Sequence, residues 1–415
     1  MKRYWQVACI VAVLAGGLLL TASAQDKAAG AGASDWPIWR GPHHDGISAE
    51  TLWKSQWPAE GPKVLWKADI GVGYSAAATI AGKVYCAGNK ENVDTVYCFD
   101  AKTGQKVWTR SYPCPTIPEG KWPGTRSSPV IDGGLLFIIS RQGQMLCLNA
   151  ATGEVVWQKD LRVELQAKEP TWGFAGSALV QGDRVIVDVG TVAAMDKKTG
   201  NVIWKSEKFL ASYSTPVPLE YAGQKLLACF NGLGLVLLTA EEGKTFSIKK
   251  WKTNYDINAA DPVLVGEKMI FITSGYKVGG AMLEIAPGEM KEAWKTKDMG
   301  AQFSAPVLYK GCLYGFDGNV DNSILKCLDA ATGAVKWVGP KYKMGSLMLA
   351  DGKLITQADG GELAVVQAAP DGYHELAKAK PLDGQCWTMP VLSDGVIYCR
   401  SNKEGQLVAV DVSAK

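Results

Sequence analysis

The sequence predicts an all-β protein, an eight-bladed β-propeller of four-stranded antiparallel blades. Three observations carry that reading: a recurring phrase, a tryptophan period, and two chain ends that complement each other. The phrase is Asp329-Ala-Ala-Thr-Gly-Ala-Val-Lys-Trp337, which returns at Asp100–Trp108, Asn149–Trp157 and Asp196–Trp204. Each copy reads as a strand end, a tight turn and a new strand. Asp or Asn bonds the turn backbone, and Gly supplies a positive φ. Trp66, Trp108, Trp157, Trp204, Trp251, Trp294 and Trp337 are spaced by 42, 49, 47, 47, 43 and 43 residues, and a further step of 39 reaches Leu376. A strand-built unit of roughly 40–50 residues is a propeller blade.

Taken in order, residues 1–24 read as a secretory signal. Lys2 and Arg3 are the charged start, Val7 to Leu20 the apolar stretch, and Ala22-Ser23-Ala24 the cleavage site. That stretch is shorter than the ~20 residues of a membrane span, and Cys9 is badly placed for lipid attachment. An exported protein, periplasmic or extracellular and soluble after cleavage near Ala24, is expected, with no membrane span. Removing the signal leaves 42 basic against 41 acidic residues. This near-neutral balance gives no electrostatic case for nucleic acid or an anionic membrane surface.

Residues 25–35 are rich in Ala and Gly and read as a flexible linker. Residues 36–62, with Trp36, Trp39, Trp53 and Trp57 among Pro and Gly, read as an ordered arm packed on the folded body. The propeller is assigned to residues 63–415. Val64-Leu65-Trp66-Lys67-Ala68-Asp69 has the form of a Trp-bearing outer strand, yet nothing before it supplies the rest of its blade. At the other end Gly405 to Val412 matches the strand before the Thr-Gly turn, and no outer strand follows. Pairing the two closes the ring and hides both edges.

Eight first strands are expected to begin at Ser75, Ser127, Gly176, Ser214, Ala260, Ser304, Gly345 and Thr388, each followed by a turn Gly. Several carry a small residue, Pro and Val, as in Ser128-Pro129-Val130 and Thr215-Pro216-Val217. Small residues suit strands crowding an axis. The phrase decays in places: Thr239-Ala-Glu-Glu-Gly243 has lost its Asp and Thr, Pro287-Gly288 replaces Thr-Gly, and the seventh copy has no Trp.

These repeats resemble the eight-bladed propellers of the pyrroloquinoline-quinone (PQQ) repeat superfamily, over about residues 63–412. The Ala-x-Thr-Gly-x-x-x-Trp phrase looks like its tryptophan-docking motif. The resemblance implies that Trp66, Trp108, Trp157, Trp204, Trp251, Trp294 and Trp337 pack between blades. The superfamily holds quinoprotein dehydrogenases and non-enzymatic propellers such as the BamB-like branch. A dehydrogenase of this kind implies PQQ beneath a vicinal Cys-Cys disulfide, with Ca²⁺ held by Glu, Asn and Asp. The chain has no Cys-Cys pair and no Cys-x-x-Cys-His haem motif.

No other chemistry stands out. The three His (His43, His44 and His374) have no zinc-site spacing. Asn231-Gly232-Leu233-Gly234 lies between two strand-like runs and reads as a hairpin turn rather than a phosphate loop. Nine Cys remain after signal removal. Cys86 with Cys98, and Cys312 with Cys327, fall on consecutive strands, where either buried thiols or disulfides fit.

A binding site is expected where the connections from outer to inner strands meet the axis. These carry Arg126, Trp172, Phe174, Tyr213, Asn258, Asp261, Gln302, Phe303 and Trp387. Such an aromatic and polar mixture suits a protein segment, glycan or small polar ligand; plugging the channel is the competing role. The reading is an exported, monomeric, non-enzymatic propeller acting as a binding or protein-interaction scaffold in the cell envelope. It has no metal, no catalytic residue and no cofactor. The alternatives are a PQQ- and Ca²⁺-dependent dehydrogenase and a carbohydrate-binding propeller.

Overall fold

A computed structural model describes residues 34–116 and 122–414. The expected signal with its Cys9, and nearly all of the expected linker, lie outside them. Eight antiparallel sheets follow one another around an axis, each running from an inner strand A to an outer strand D. Blade 1 (Ala78–Ile80, Lys83–Lys90, Val93–Asp100, Lys106–Pro113) is typical. Asn231 and Gly234 end adjoining strands of blade 4, so the Gly-rich stretch there is a hairpin turn. Apolar residues alternate on the middle strands and meet those of the next blade. Phe137 and Met145 of blade 2, for example, share a core with Val185 and Met195 of blade 3.

Blade 8 is built from both ends. Val64–Asp69 pairs antiparallel with Gln406–Asp411, placing Trp66 opposite Ala409 and Lys67 opposite Val408. The ring closes against blade 1, where the Trp66 indole donates to Ala101 O at 2.9 Å.

In strand D a bulge falls on the residue before the tryptophan. The register shifts between Val155 and Trp157 in blade 2, and between Val64 and Trp66 in blade 8. A bulge re-aims the side chain that follows it, and here it turns the indole toward the Thr-Gly turn of the next blade. Trp108, Trp157, Trp294 and Trp337 donate to Ala150, Lys197, Ala330 and Ala369 carbonyls at 2.8–3.2 Å. A Cβ on Gly104, Gly153, Gly200, Gly243 or Gly333 would sit under 3 Å from the Trp66, Trp108, Trp157, Trp204 or Trp294 ring. Only glycine lets the indole lie flat on the turn.

Two expected docking positions are corrected. Trp251 does not dock on a turn: the residue after the bulge in blade 4 is Ser247, opposite Leu237, and Trp251 lies beyond the strand with its indole on Ser274 Oγ at 3.1 Å. With no indole there, Gly288–Glu289 adds a parallel strand beside Ser247 and Ile248, and Met290 is buried in the same core. In blade 7 the equivalent residue is Ala377, opposite Val365, rather than Leu376, because the turn from Gln367 to His374 is longer.

Most inner strands also start about three residues later than expected, at Ala78, Val130, Leu179, Val217, Val263, Val307 and Val391; only Gly345 starts as read. The preceding small residues form a belt between blades instead of a ladder. Ala76 N donates to Ser128 Oγ, Ser128 N to Ser177 Oγ, Ser177 N to Thr215 Oγ1 and Thr215 N to Asp261 Oδ1, at 2.7–2.9 Å. Pro follows several of these residues because its missing N–H is not needed there. All nine described cysteines are buried free thiols. In blade 1 Cys86 faces Tyr97 while Cys98 faces Tyr85, so the two thiols point into different cores.

The arm crosses the lower end of the ring. Trp36 bridges Thr79 in blade 1, Pro37 O accepts from Ile131 in blade 2, and Ile47–Ser48 lies parallel to strand A of blade 7. Trp53 then bridges Ser413 beside blade 8. Among the described residues, no helix is long and apolar enough to cross a membrane.

Candidate functional site

The connections from strand D to strand A converge at the other end of the axis around a cavity of about 480 Å³. Trp39 and Arg40 of the arm line it as a floor. The Trp39 indole donates to Asp261 Oδ2 at 2.5 Å, and Arg40 Nη1 and Nη2 donate to the Ala305 and Pro306 carbonyls, both at 2.9 Å. Burial pushes the Asp261 carboxyl up and the Arg40 guanidinium down, and their mutual attraction offsets both shifts. The arm therefore makes a cup of what would be an open channel.

Two aromatic walls face each other. On one, the Trp387 ring lies 4.6 Å from Trp122, 5.8 Å from Phe303 and 5.9 Å from Tyr74. The Trp387 indole donates to Asp359 Oδ1. On the other, Trp172 meets Tyr213 at 6.1 Å and Tyr255 at 5.9 Å, and Tyr255 meets Tyr276 at 6.2 Å, all edge to face. Trp122, Tyr255 and Tyr276 have φ of 63°, 62° and 58°. Bulky residues rarely adopt that left-handed conformation, and each costs roughly 1–3 kcal/mol where it is held. Strain of this kind collects at sites that bind.

The polar groups of the cup mostly hold one another. Gln302 Nε2 donates to the Tyr276 hydroxyl at 3.0 Å, its Oε1 accepts from Val320 N at 3.0 Å, and Asn319 Oδ1 accepts from Tyr276 N at 2.7 Å. The Tyr74 hydroxyl donates to Gln385 at 3.1 Å. Burial raises the Tyr74 and Tyr213 hydroxyls to about 12, so neither ionises near neutrality. Arg126 differs: Nη2 donates to Trp122 O at 2.6 Å and Cζ lies 5.3 Å from the centre of the Tyr74 ring, but its buried Nε has no partner among the described residues.

Of the nine residues expected at the mouth, Arg126, Trp172, Tyr213, Gln302, Phe303 and Trp387 line the cup. The other three are corrected. Phe174 is buried in the core between blades 2 and 3, against Gly143. Asn258 is buried, donating to Asn231 O and accepting from Ser274 Oγ, both at 2.7 Å. Asp261 lies under the floor, where it receives Thr215 N and the Trp39 indole. Residues just before an inner strand alternate between axis and inter-blade core, and the sequence does not mark which is which. Tyr74 and Trp122 sit on the same kind of connection and were legible by the same rule. Tyr276 sits on a hairpin within blade 5, and Trp39 and Arg40 come from the arm; no repeat pattern points to them.

The cup's donor set does not fit the quinone–calcium site of the dehydrogenase branch. Its polar lining is hydroxyl, amide, indole and guanidinium, no carboxylate lines it, and no group of three His, Cys, Asp or Glu suited to a metal occurs among the described residues.

A family model described as "Outer membrane protein assembly factor BamB" matches residues 92–339, more than half of the chain. A protein of that name from Yersinia pestis is 22% identical over 359 residues, 80% of this chain and 85% of that protein. One from Burkholderia pseudomallei is 27% identical over 184 residues; that match spans 43% of this chain and less than half, 44%, of its relative. Among solved structures, BamB from Moraxella catarrhalis is similar with a TM-score of 0.60 at 15% identity, over 84% of this chain and 97% of that one. A quinohemoprotein alcohol dehydrogenase from Comamonas testosteroni gives 0.69 at 12% identity, over 93% and 82%. At such identities the structures share the fold alone. The bulged tryptophan docking, the eight-sheet ring and the family match agree: the chain belongs to the PQQ-repeat family described as outer membrane protein assembly factor BamB.

Proposed function

We propose that the protein is an exported, non-enzymatic scaffold of the cell envelope that works by binding, with the cup-bearing face as its contact surface. The observation that carries this is the build of the cup: rigid aromatic walls, three of their residues held in a strained backbone, on a closed ring. Large, rigid aromatic side chains dominate contact energies while losing little rotamer freedom. The name of the relatives, an outer membrane assembly factor, supports an envelope protein as the partner. On this reading the chain acts as a monomer and carries no cofactor.

The test is capture from cross-linked envelope extract with the tagged mature chain. A double variant of the exposed Tyr255 and the half-buried Trp172, Tyr255→Ala with Trp172→Ala, should lose the captured envelope protein while keeping its melting temperature within a few degrees. Capture that the double variant retains would move the contact surface elsewhere. Incubation with PQQ, Ca²⁺ and an artificial electron acceptor tests the dehydrogenase alternative: dye reduction with any alcohol or sugar would replace the scaffold reading.

A further inference from the structure

Blade 6 brings two cysteines together on one face of its sheet. Cys312 begins strand B (Cys312–Asp317) opposite Asp329, and Cys327 lies in strand C (Ser323–Asp329) opposite Tyr314. That register makes them diagonal neighbours, and both side chains enter the core shared with blade 7. Their thiols interact with each other and with the Tyr314 hydroxyl. Cys327 is fully buried, whereas Cys312 sits at the end of its strand and is 5% exposed.

The other described cysteines are not matched in this way. Cys86 and Cys98 enter different cores. Cys98 and Cys114 share one core, but Cys98 faces Tyr85 and Trp108 while Cys114 lies beyond the strand beside Asp94. Cys386 and Cys399 share another, but their thiols donate to the Asp383 and Val408 carbonyls, both at 3.9 Å. Cys147 and Cys229 each lie in a core with no second cysteine among the described residues.

We infer that Cys312 and Cys327 are a site of oxidation, forming an intrachain disulfide that staples blade 6 when the protein meets a disulfide oxidant. The Cys312 thiolate attacks one sulfur of the oxidant's disulfide, forming a mixed disulfide and expelling a thiolate. The Cys327 thiolate then attacks the Cys312 sulfur and expels the second. Two electrons pass to the oxidant, which ends as two thiols carrying the protons the cysteines lost. Burial pushes the Cys327 thiol up to about 12, so Cys312 is the entry point and the second step is the slow one. The bridge closes a loop over residues 312–327 whose far tip, residues 318–322, supplies Asn319 and Val320 to the cup. Closing that loop restricts the unfolded chain and fixes the base of a hairpin in the cup wall. The inference takes from the proposed function only the export that exposes the chain to such an oxidant.

The test supplies its own oxidant. The mature full-length chain, purified under dithiothreitol, is incubated folded with glutathione disulfide, alkylated in denaturant without reductant, and cut with trypsin, which cleaves after Lys310, Lys326 and Lys336. Residues 311–326 and 327–336 should appear as one linked species, with the other seven cysteines alkylated. Oxidation should also raise the melting temperature by a few degrees. Cys312→Ser should lose both the linkage and the rise; its circular dichroism and melting temperature, matched to those of the reduced wild type, verify that it is folded. Separate alkylated peptides, a glutathione adduct that stops at Cys312, or linkage to another cysteine instead would each overturn the inference, and linkage with no rise would overturn the staple. The export reading fails by a different result: the mature chain absent from the cell envelope, with the bridge still forming in the purified protein.

Discussion

His44 and Asp188 pull stability in opposite directions with pH. Burial, aided by Arg40, holds the His44 imidazole at about 4 against an ordinary 6.5. The unfolded chain then takes up a proton that the folded one refuses, so this contribution is full above pH 6.5 and fades as pH falls toward 4. Burial lifts the Asp188 carboxyl to about 6 from 3.8. Here the folded chain keeps a proton that the unfolded one sheds, so stability falls as pH rises from 3.8 to 6. Urea unfolding of Asp188→Asn should show a gain of ~1–3 kcal/mol at pH 7 that vanishes near pH 4. Asn keeps the acceptor for Gly190 N, which Asp188 Oδ1 now receives at 3.0 Å. His44→Asn, which tolerates the left-handed φ of 57°, should flatten the loss of stability between pH 6.5 and 4. A wild-type profile alone would hide both because they overlap.

The unit of the fold at the next scale is a bulged outer strand with the turn it covers. Gly153 and Gly182 both have left-handed φ, at 74° and 57°, but an added Cβ meets the Trp108 ring at 2.5 Å in the first and nothing within 4 Å in the second. Gly182→Ala should therefore cost only the backbone term of ~1 kcal/mol, and Gly153→Ala at least ~2 kcal/mol more as the indole is displaced. Equal losses in thermal unfolding would show that the indole does not constrain the turn. Blade 4 shows how the unit can be rebuilt. Without an indole after its bulge, it recruits two residues of the neighbouring blade as a fifth strand. The sequence hides this substitution because Trp251 happens to stand near the expected period while Ser247 occupies the structural position.

For the whole molecule, the N-terminal segment does two separable jobs. Residues 64–69 close the ring, and residues 36–53 floor the channel and bury Trp36, Ile38 and Trp53. A chain beginning at Lys63 should stay monomeric but lose stability, since each buried apolar side chain is worth ~1.5–3 kcal/mol. A chain beginning at Ile70 leaves the Gln406–Asp411 edge unpaired, and it should associate through that edge. Light scattering after size exclusion reads both; a monomer from the shorter chain would show that closure is dispensable.

Blade number, the closing strand and most of the docking tryptophans were legible because repetition prints the same local solution many times. Small residues before each inner strand were legible too, though as strand starts and not as the belt they form. The cup was legible only in part. Arg126 and Trp387 announce themselves on connections, whereas Trp39, Arg40 and Tyr276 arrive from an arm and a hairpin with no periodic mark. The sequence determined by itself that the chain must be a closed ring, since local turn chemistry and strand periodicity recur in every unit. Tertiary structure alone decided what lies on the axis: segments far apart in sequence meet there, and whether a side chain faces the cup or the core depends on packing, not on its neighbours in the chain.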